Sequence, residues 1–501
     1  MKLTKFTLAK TVESIGKNAF NGCKVLKAIG YACGRGGTGM PGIRPEDAQE
    51  KLPALVHLTR LGYRYLPLSE ALRDRETNIL PEELRKAVTR INGRAMPDGR
   101  FSDLLAEIRE SLQLEDLGKA FYEGLRDSWN GLRLIDFVHP DQNRFHVMTE
   151  LPYISGRNRF RPDITLFING LPLAFIELKS KNPRDGIRAE YSRMDTRARN
   201  PVFRRFINVT QIMVFSNDEE YNESDLLPTK GAFYAASAYE GLTVHRFREE
   251  EREIFSQLAA ADPAEVSGIL QDNHAETLMT DPDFQASLSP DSPTHRLLTS
   301  LFHPCRFLFF LQYGISYVEN GTPGASCHVT KQIIRDPQLF AIRYLEHQLR
   351  SGHFSAVYPV RRSGRLETAA ALIRYMQAYF ATVSQPVQYD YLTDSPAQAQ
   401  ILLEALRAQG FRVRKRPRHA EWDATVLREK SREDALVPCV SVYCLSDFSG
   451  FTAPMLTSGE APVRQICFLD GTEGDYTFGE SLFMRLRDEN PEVFWILFSA
   501  E

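Results

Sequence analysis

The feature that most constrains this chain is the dipeptide Asn169-Gly170, set between two runs rich in β-branched and aromatic residues at 163–168 and 173–179. A two-residue type I′ turn needs positive φ at both central positions, and Asn-Gly meets that need at the lowest steric cost, so these runs form a β-hairpin. Further β-rich segments at 145–151 and 208–215 supply neighbouring strands. Before them, Leu52, Leu55, Val56, Leu58 and Leu61 recur at mostly helical spacing up to Gly62, and helical blocks follow at 80–91 and 101–125. Apolar stripes of this kind pack on a sheet. The first half is therefore α/β, a mixed sheet with flanking helices.

The rest of the chain changes rhythm. Segment 247–329 is polar and helix-like with Pro-bearing breaks, and reads as a helical connector. From 330 to 501 strands alternate with helices: strand 356–360, helix 368–381, strand 387–392, helix 397–408, then strands 439–445, 463–469 and 493–498. That alternation predicts a second domain built on a largely parallel sheet. Residues 1–44 are basic, acid-poor and end in a Gly-rich run, which reads as a flexible extension, with Met40 an alternative start. The mixed-sheet domain is thus expected over 45–246.

Composition excludes several classes. The 61 basic and 64 acidic side chains leave a net charge of -3, so any polyanion must be met by a local patch. Seven cysteines, none spaced as CxxC, argue against a disulfide framework or a structural zinc site and fit a reducing cytoplasm. The most apolar run, 307–311, stops at Gln312, far short of the roughly 20 residues of a membrane helix. No membrane association is expected.

The chemistry sits on the hairpin. Pro162-Asp163 is followed, after thirteen intervening residues, by Glu177-Leu178-Lys179. Two carboxylates converging near the open end of a hairpin can hold Mg²⁺, or Mn²⁺, and an amine two residues beyond the second carboxylate projects from the same strand face. Such a set suits phosphodiester hydrolysis. A regular two-residue hairpin, however, places Glu177 opposite Pro162, so the convergence requires a bend or bulge, expected at Pro162-Asp163 because proline lacks an amide. The competing reading is an ordinary surface hairpin with charged tips.

The continuous segment 161–179 resembles the nuclease signature in the restriction (R) subunit of type I restriction-modification enzymes. The likeness extends upstream to Leu134-Ile135-Asp136-Phe137 and Asn143-Arg144-Phe145, and downstream to Gly231-Ala232-Phe233-Tyr234. It implies a PD-(D/E)xK endonuclease acting on double-stranded DNA with Mg²⁺. Asp163 and Glu177 are then the ligands and Lys179 the catalytic lysine, with Glu50 or Glu46 as an additional acid from an early helix. It also implies methyltransferase (M) and specificity (S) subunits as partners. One departure stands out: where the family carries a Gln and, four residues on, a Tyr, this chain reads 190–195 as Glu-Tyr-Ser-Arg-Met-Asp.

The second half resembles the first RecA-like lobe of the same subunit's ATP-driven translocase, in degenerate form. Arg335 and Gln338 stand where the family has its adenine-side segment. In the phosphate loop, before Gly364, Arg362 replaces a glycine, Arg365 the lysine and Leu366 the magnesium-binding hydroxyl. Asp470 is followed by Gly471 instead of the activating glutamate. ATP is therefore not expected to be hydrolysed, and since the sequence reaches only to about the third helicase motif, a second lobe is not expected. Arginine-rich patches at Arg204-Arg205 and at Arg412, Arg414, Lys415 and Arg416 are candidate DNA contacts. The reading is a DNA endonuclease of defence lacking a motor. Its alternatives are a DNA-binding or scaffold homologue without cleavage, or a remnant of a full-length R subunit.

Overall fold

The computed structural model describes residues 6–8, 29–31, 46–181, 186–221, 230–238, 241–247, 258–320, 328–351, 355–359, 364–393, 396–415, 439–444, 464–470, 483–488, 491 and 493–499. Two compact units result, 1–45 and 46–501. In the first, two three-residue strands, Phe6–Leu8 and Ile29–Tyr31, pair in parallel.

The larger unit contains a seven-stranded mixed sheet built from β1 (Arg64–Tyr65), β2 (Phe145–Thr149), β3 (Ile164–Ile168), β4 (Leu171–Leu178), β5 (Ile212–Ser216), β6 (Ala232–Ala238) and β7 (Gly241–Arg246). The spatial order is β7-β6-β5-β4-β3-β2-β1, with β4/β5 and β1/β2 parallel and the other pairs antiparallel. The central strands β3, β4 and β5 are buried throughout, as strands covered on both faces must be.

The covering helices are α1 (Leu52–Arg60), α2 (Pro81–Asn92), α3 (Asp98–Ser111), α4 (Lys119–Arg126), α5 (Gly186–Ala198) and α6 (Arg204–Val209). Helix α2 shows why such segments are helical: Pro81 opens it, Glu82 and Glu83 face the positive helix end, and Gly93 closes it at φ 63°. The single helix expected over 101–125 is two. Leu117 and Gly118 are both left-handed, and the Asp116 carboxylate accepts the Gly118 and Ala120 amides, so the chain turns there and α4 restarts. Likewise the strand expected from 208 begins only at Ile212, because 208 and 209 complete α6.

The segment read as a connector forms α7 (Pro263–Asp272), α8 (Pro282–Ser287), α9 (Pro293–Phe302) and α10 (Pro304–Phe309). It packs into the body: Tyr63 Oη donates to the Phe302 carbonyl (2.9 Å), and His57 stacks on His295 with ring centroids 4.4 Å apart. A hairpin, β8 (Ile315–Asn320) with β9 (His328–Ile333), follows. Beyond it come α11 (Asp336–Arg350), α12 (Arg365–Thr382) and α13 (Pro396–Ala408). The strands are β10 (Ser355–Pro359), β11 (Val387–Thr393), β12 (Arg412–Lys415), β13 (Cys439–Cys444), β14 (Arg464–Asp470) and β15 (Phe494–Ser499). These six strands form a wholly parallel sheet in the order β10-β15-β14-β11-β13-β12. Among the described residues no helix is long and apolar enough to cross a membrane.

Candidate nuclease centre

The hairpin turn forms as its residues require, with Asn169 at φ 53° and Gly170 at φ 81°. Asn169 is wholly buried: its amide donates to the Leu134 carbonyl (2.9 Å) and Asn143 Oδ1 (2.8 Å), and its Oδ1 accepts the Arg144 amide (2.8 Å). Asp136 and Asn143 close the same network, the Asp136 amide donating to Asn143 Oδ1 at 3.0 Å. The upstream landmarks at 134–137 and 143–145 therefore hold the turn, at the far end of the hairpin from the acids.

The register break lies elsewhere than expected. Pairing runs Ile168 to Leu171 and Phe167 to Pro172, then shifts so that Leu166 faces Ala174, Thr165 faces Phe175 and Ile164 faces Ile176. The pairing of β3 with β2 has no shift, which puts the extra residue in β4, at Leu173. Pro172 has no amide for the ladder, and the Leu173 carbonyl is taken by the Gln211 amide of the neighbouring chain segment at 2.7 Å. The bulge expected at Pro162-Asp163 is absent; there the Asp163 carbonyl keeps a regular bond to the Glu150 amide (3.0 Å). The consequence is the same: the one-residue shift brings Asp163 opposite Glu177, on one face of the sheet.

Asp163 Oδ2 accepts the Leu178 amide at 2.8 Å, which fixes the first carboxylate against the second strand. Burial pushes the Asp163 carboxyl above its usual range, against the pull of Lys179 and the Leu178 amide. Glu177 is only 4% exposed and is pushed well up, first by burial and then by Asp163 and Glu190. Its Oε1 is buried without a hydrogen-bond partner. Lys179 Nζ donates to the Leu178 carbonyl (2.9 Å) and stands 3.2 Å from Glu46, 3.8 Å from Glu190 and 3.9 Å from Glu177. Burial works against its charge, but Asp163, Glu177, Glu46 and Glu190 together hold its pKa above the ordinary lysine value.

Of the two early acids, Glu46 reaches the centre. Glu50 is not the solvated helix residue its position suggests: it is 5% exposed, and its pKa is raised to about 8 by burial first and then by Asp218, against the pull of Lys181. Glu190 is the residue that sequence reasoning noted as a departure without placing it. With Ile187 and Met194 it forms the inward stripe of α5, and Arg193 (3.2 Å) and Arg197 (3.5 Å) hold its carboxylate beside Lys179. The spacing 187, 190, 194 was the available signal.

The donor set fits a hard divalent cation: two adjoining carboxylates, one buried oxygen without a partner, and both acids disfavoured as anions by their surroundings. Among the described residues, no cluster of three or more His, Cys, Asp or Glu side chains is arranged to hold a metal. The set is therefore these two acids, with Glu46 and Glu190 engaged by Lys179.

The other predicted residues fall outside this centre. Arg204 and Arg205 are each ion-paired, with Glu115 and Glu76. Arg412 and Arg414 lie on β12, the edge strand of the parallel sheet; the side chain of Lys415 and all of Arg416 lie outside the described residues, as does Arg362. Arg365 ion-pairs with Asp470, whose other oxygen lies 3.5 Å from Tyr391 Oη. Gln338 Nε2 donates to the Gly364 carbonyl (3.1 Å), and Gln338 and Arg335 crowd the position a Gly364 Cβ would occupy.

Residues 43–226 match the family model described as type I restriction enzyme R protein N terminus (HSDR_N). That region is similar to the N-terminal part of type I restriction R proteins. Similar proteins include the type I restriction enzyme HindI endonuclease subunit of Haemophilus influenzae, 33% identical over an alignment of 150 residues that covers 25% of this chain and 14% of that protein. A putative type I restriction enzyme MjaIXP endonuclease subunit of Methanocaldococcus jannaschii is 29% identical over 202 residues, 35% of this chain and 19% of that one. The matched part thus spans less than a fifth of either relative's length. The bulged hairpin, Asp163, Glu177, Lys179 and Glu190 all lie inside the R-protein N-terminal match.

Proposed function

We propose that the seven-stranded region is a PD-(D/E)xK endonuclease that cuts duplex DNA with Mg²⁺, or Mn²⁺, in restriction of foreign DNA. Asp163 and Glu177 would hold the cation. When bound, it would offset charge developing on the scissile phosphate. Lys179 stays protonated among its four carboxylates, so its ammonium is available to stabilise the attacked phosphate or orient a water beside it. Glu46 and Glu190 restrict where that amine can point. The single observation that carries this reading is Glu177 Oε1, buried and unpartnered beside Asp163.

The parallel domain is proposed to be a RecA-like lobe that no longer turns over ATP. Arg365, at the position of the phosphate-binding lysine, is engaged by Asp470, and Leu366 has no oxygen to offer a magnesium ion. Duplex DNA and methyltransferase and specificity subunits are the proposed partners, on the strength of the family.

The test is cleavage of supercoiled plasmid with Mg²⁺ and without ATP. Nicking is expected from the wild-type chain and not from Asp163→Ala or Lys179→Ala. Absence of metal-dependent nicking, with or without ATP and added subunits, would instead make the chain a DNA-binding homologue.

A further inference from the structure

At the β1 edge of the same sheet lies a cavity of about 680 Å³, lined by none of the residues of the centre above. Its wall carries Arg64, Lys86, Arg90 and Arg144 against two acids, Glu83 and Asp141. Lys86 is matched by Glu83 at 2.8 Å. Among the described residues the other three cations have no ion-pair partner: Arg90 Nε donates to the Gln142 carbonyl (2.8 Å), Arg144 Nη1 to the Asp141 and Asn143 carbonyls, and the Arg64 side chain makes no hydrogen bond. Guanidinium groups gathered in this way repel one another until an anion joins them.

Independent of that charge, the residues that line the cavity carry buried nitrogens without a hydrogen-bond partner. These are Nδ1 of His146, which is 5% exposed and has Nε2 3.9 Å from Glu83, and Nη2 of Arg90; in the Nδ1–H tautomer of His146 both are donors. A buried polar atom left unsatisfied is costly, and a tetrahedral oxyanion would accept from both. We propose that this cavity is a phosphate-binding site, seating one phosphate group between Arg90 and Arg144 with His146 at its base and Arg64 at its mouth.

The phosphate has two possible sources. His146 pairs with Phe167, on the sheet face that Asp163 shares and four residues along β3, about 13 Å at the rise of a strand. A backbone phosphate of duplex DNA engaged at Asp163 is the first source, and it rests on the function proposed above. A free phosphate or phosphate monoester is the second and does not.

Binding is tested on the full chain in EDTA, so that loss of cleavage has no bearing on the result. Anisotropy of a fluorescein-labelled duplex is followed over a series of KCl concentrations. Arg90→Gln/Arg144→Gln is expected to make the slope of log K against log[KCl] shallower by about 0.9, one phosphate contact. Arg64→Gln, which removes no side-chain hydrogen bond among the described residues and whose folding is checked by urea unfolding, should weaken binding in the same direction. Inorganic phosphate is titrated in parallel by calorimetry. A saturable site lost in the double variant, with DNA binding unchanged, assigns the cavity to free phosphate; the DNA effect alone assigns it to the backbone. Unchanged DNA affinity and slope in both variants, together with no saturable phosphate heat, overturns the proposal.

Discussion

Substituting Glu50 by Gln should stabilise the protein, by an amount that grows with pH. The carboxyl is buried near Asp218 and Glu46, and its pKa stands at about 8 instead of the ordinary 4.5. The folded state therefore keeps a proton that the unfolded chain releases above pH 4.5, so stability falls as pH rises from there to about 8 and is level beyond. At about 1.4 kcal/mol per pKa unit, the unfavourable contribution at pH 7 is about 3 kcal/mol. Gln keeps the shape and does not titrate. Urea unfolding of wild type and Glu50→Gln between pH 4 and 9 should give superimposable stabilities near pH 4 that diverge by about 3 kcal/mol at pH 7. A difference independent of pH over that range, or a variant less stable than wild type at pH 7, would refute the burial argument.

The hairpin tip and the second domain give further expectations. Gly170→Ala forces a side chain onto φ 81° and sets its Cβ 2.6 Å from the Leu80 carbonyl oxygen and 2.9 Å from the Leu84 nitrogen, both backbone. A loss of about 1–3 kcal/mol in urea unfolding is expected from the strained conformation, and a neutral substitution would show that α2 does not press on the turn. Calorimetry with Mg-ATP should show no saturable heat and no phosphate release, because Arg365 already engages Asp470. A stoichiometric site abolished by Arg365→Ala would contradict the reading of a lobe that no longer uses ATP.

Much of the site was legible because its signals are local. Asn169-Gly170 specifies its own turn, and the order Asp163, Glu177, Lys179 follows from one hairpin. What the sequence could not show is set by neighbours in space. The bulge falls at Leu173 because its carbonyl is drawn by Gln211, a residue of another segment, and because Pro172 withholds an amide; Pro162 offered the same chemical reason at the wrong place. Glu46 and Glu190 lie 133 residues and 11 residues from Lys179 in sequence, and only the packing of their helices on the sheet brings them to it. The break between α3 and α4 hides in an apolar period that continues across Gly118, where a turn aspartate overrides the periodicity.

The central claim is that Asp163 and Glu177 share one divalent cation. Electron paramagnetic resonance titration with Mn²⁺, on the wild-type chain, Asp163→Asn and Glu177→Gln, reads this directly and does not depend on cleavage. One saturable Mn²⁺ site in the wild type, lost in both variants and displaced by Mg²⁺, is the predicted result; the same Mn²⁺ occupancy in all three proteins would contradict it.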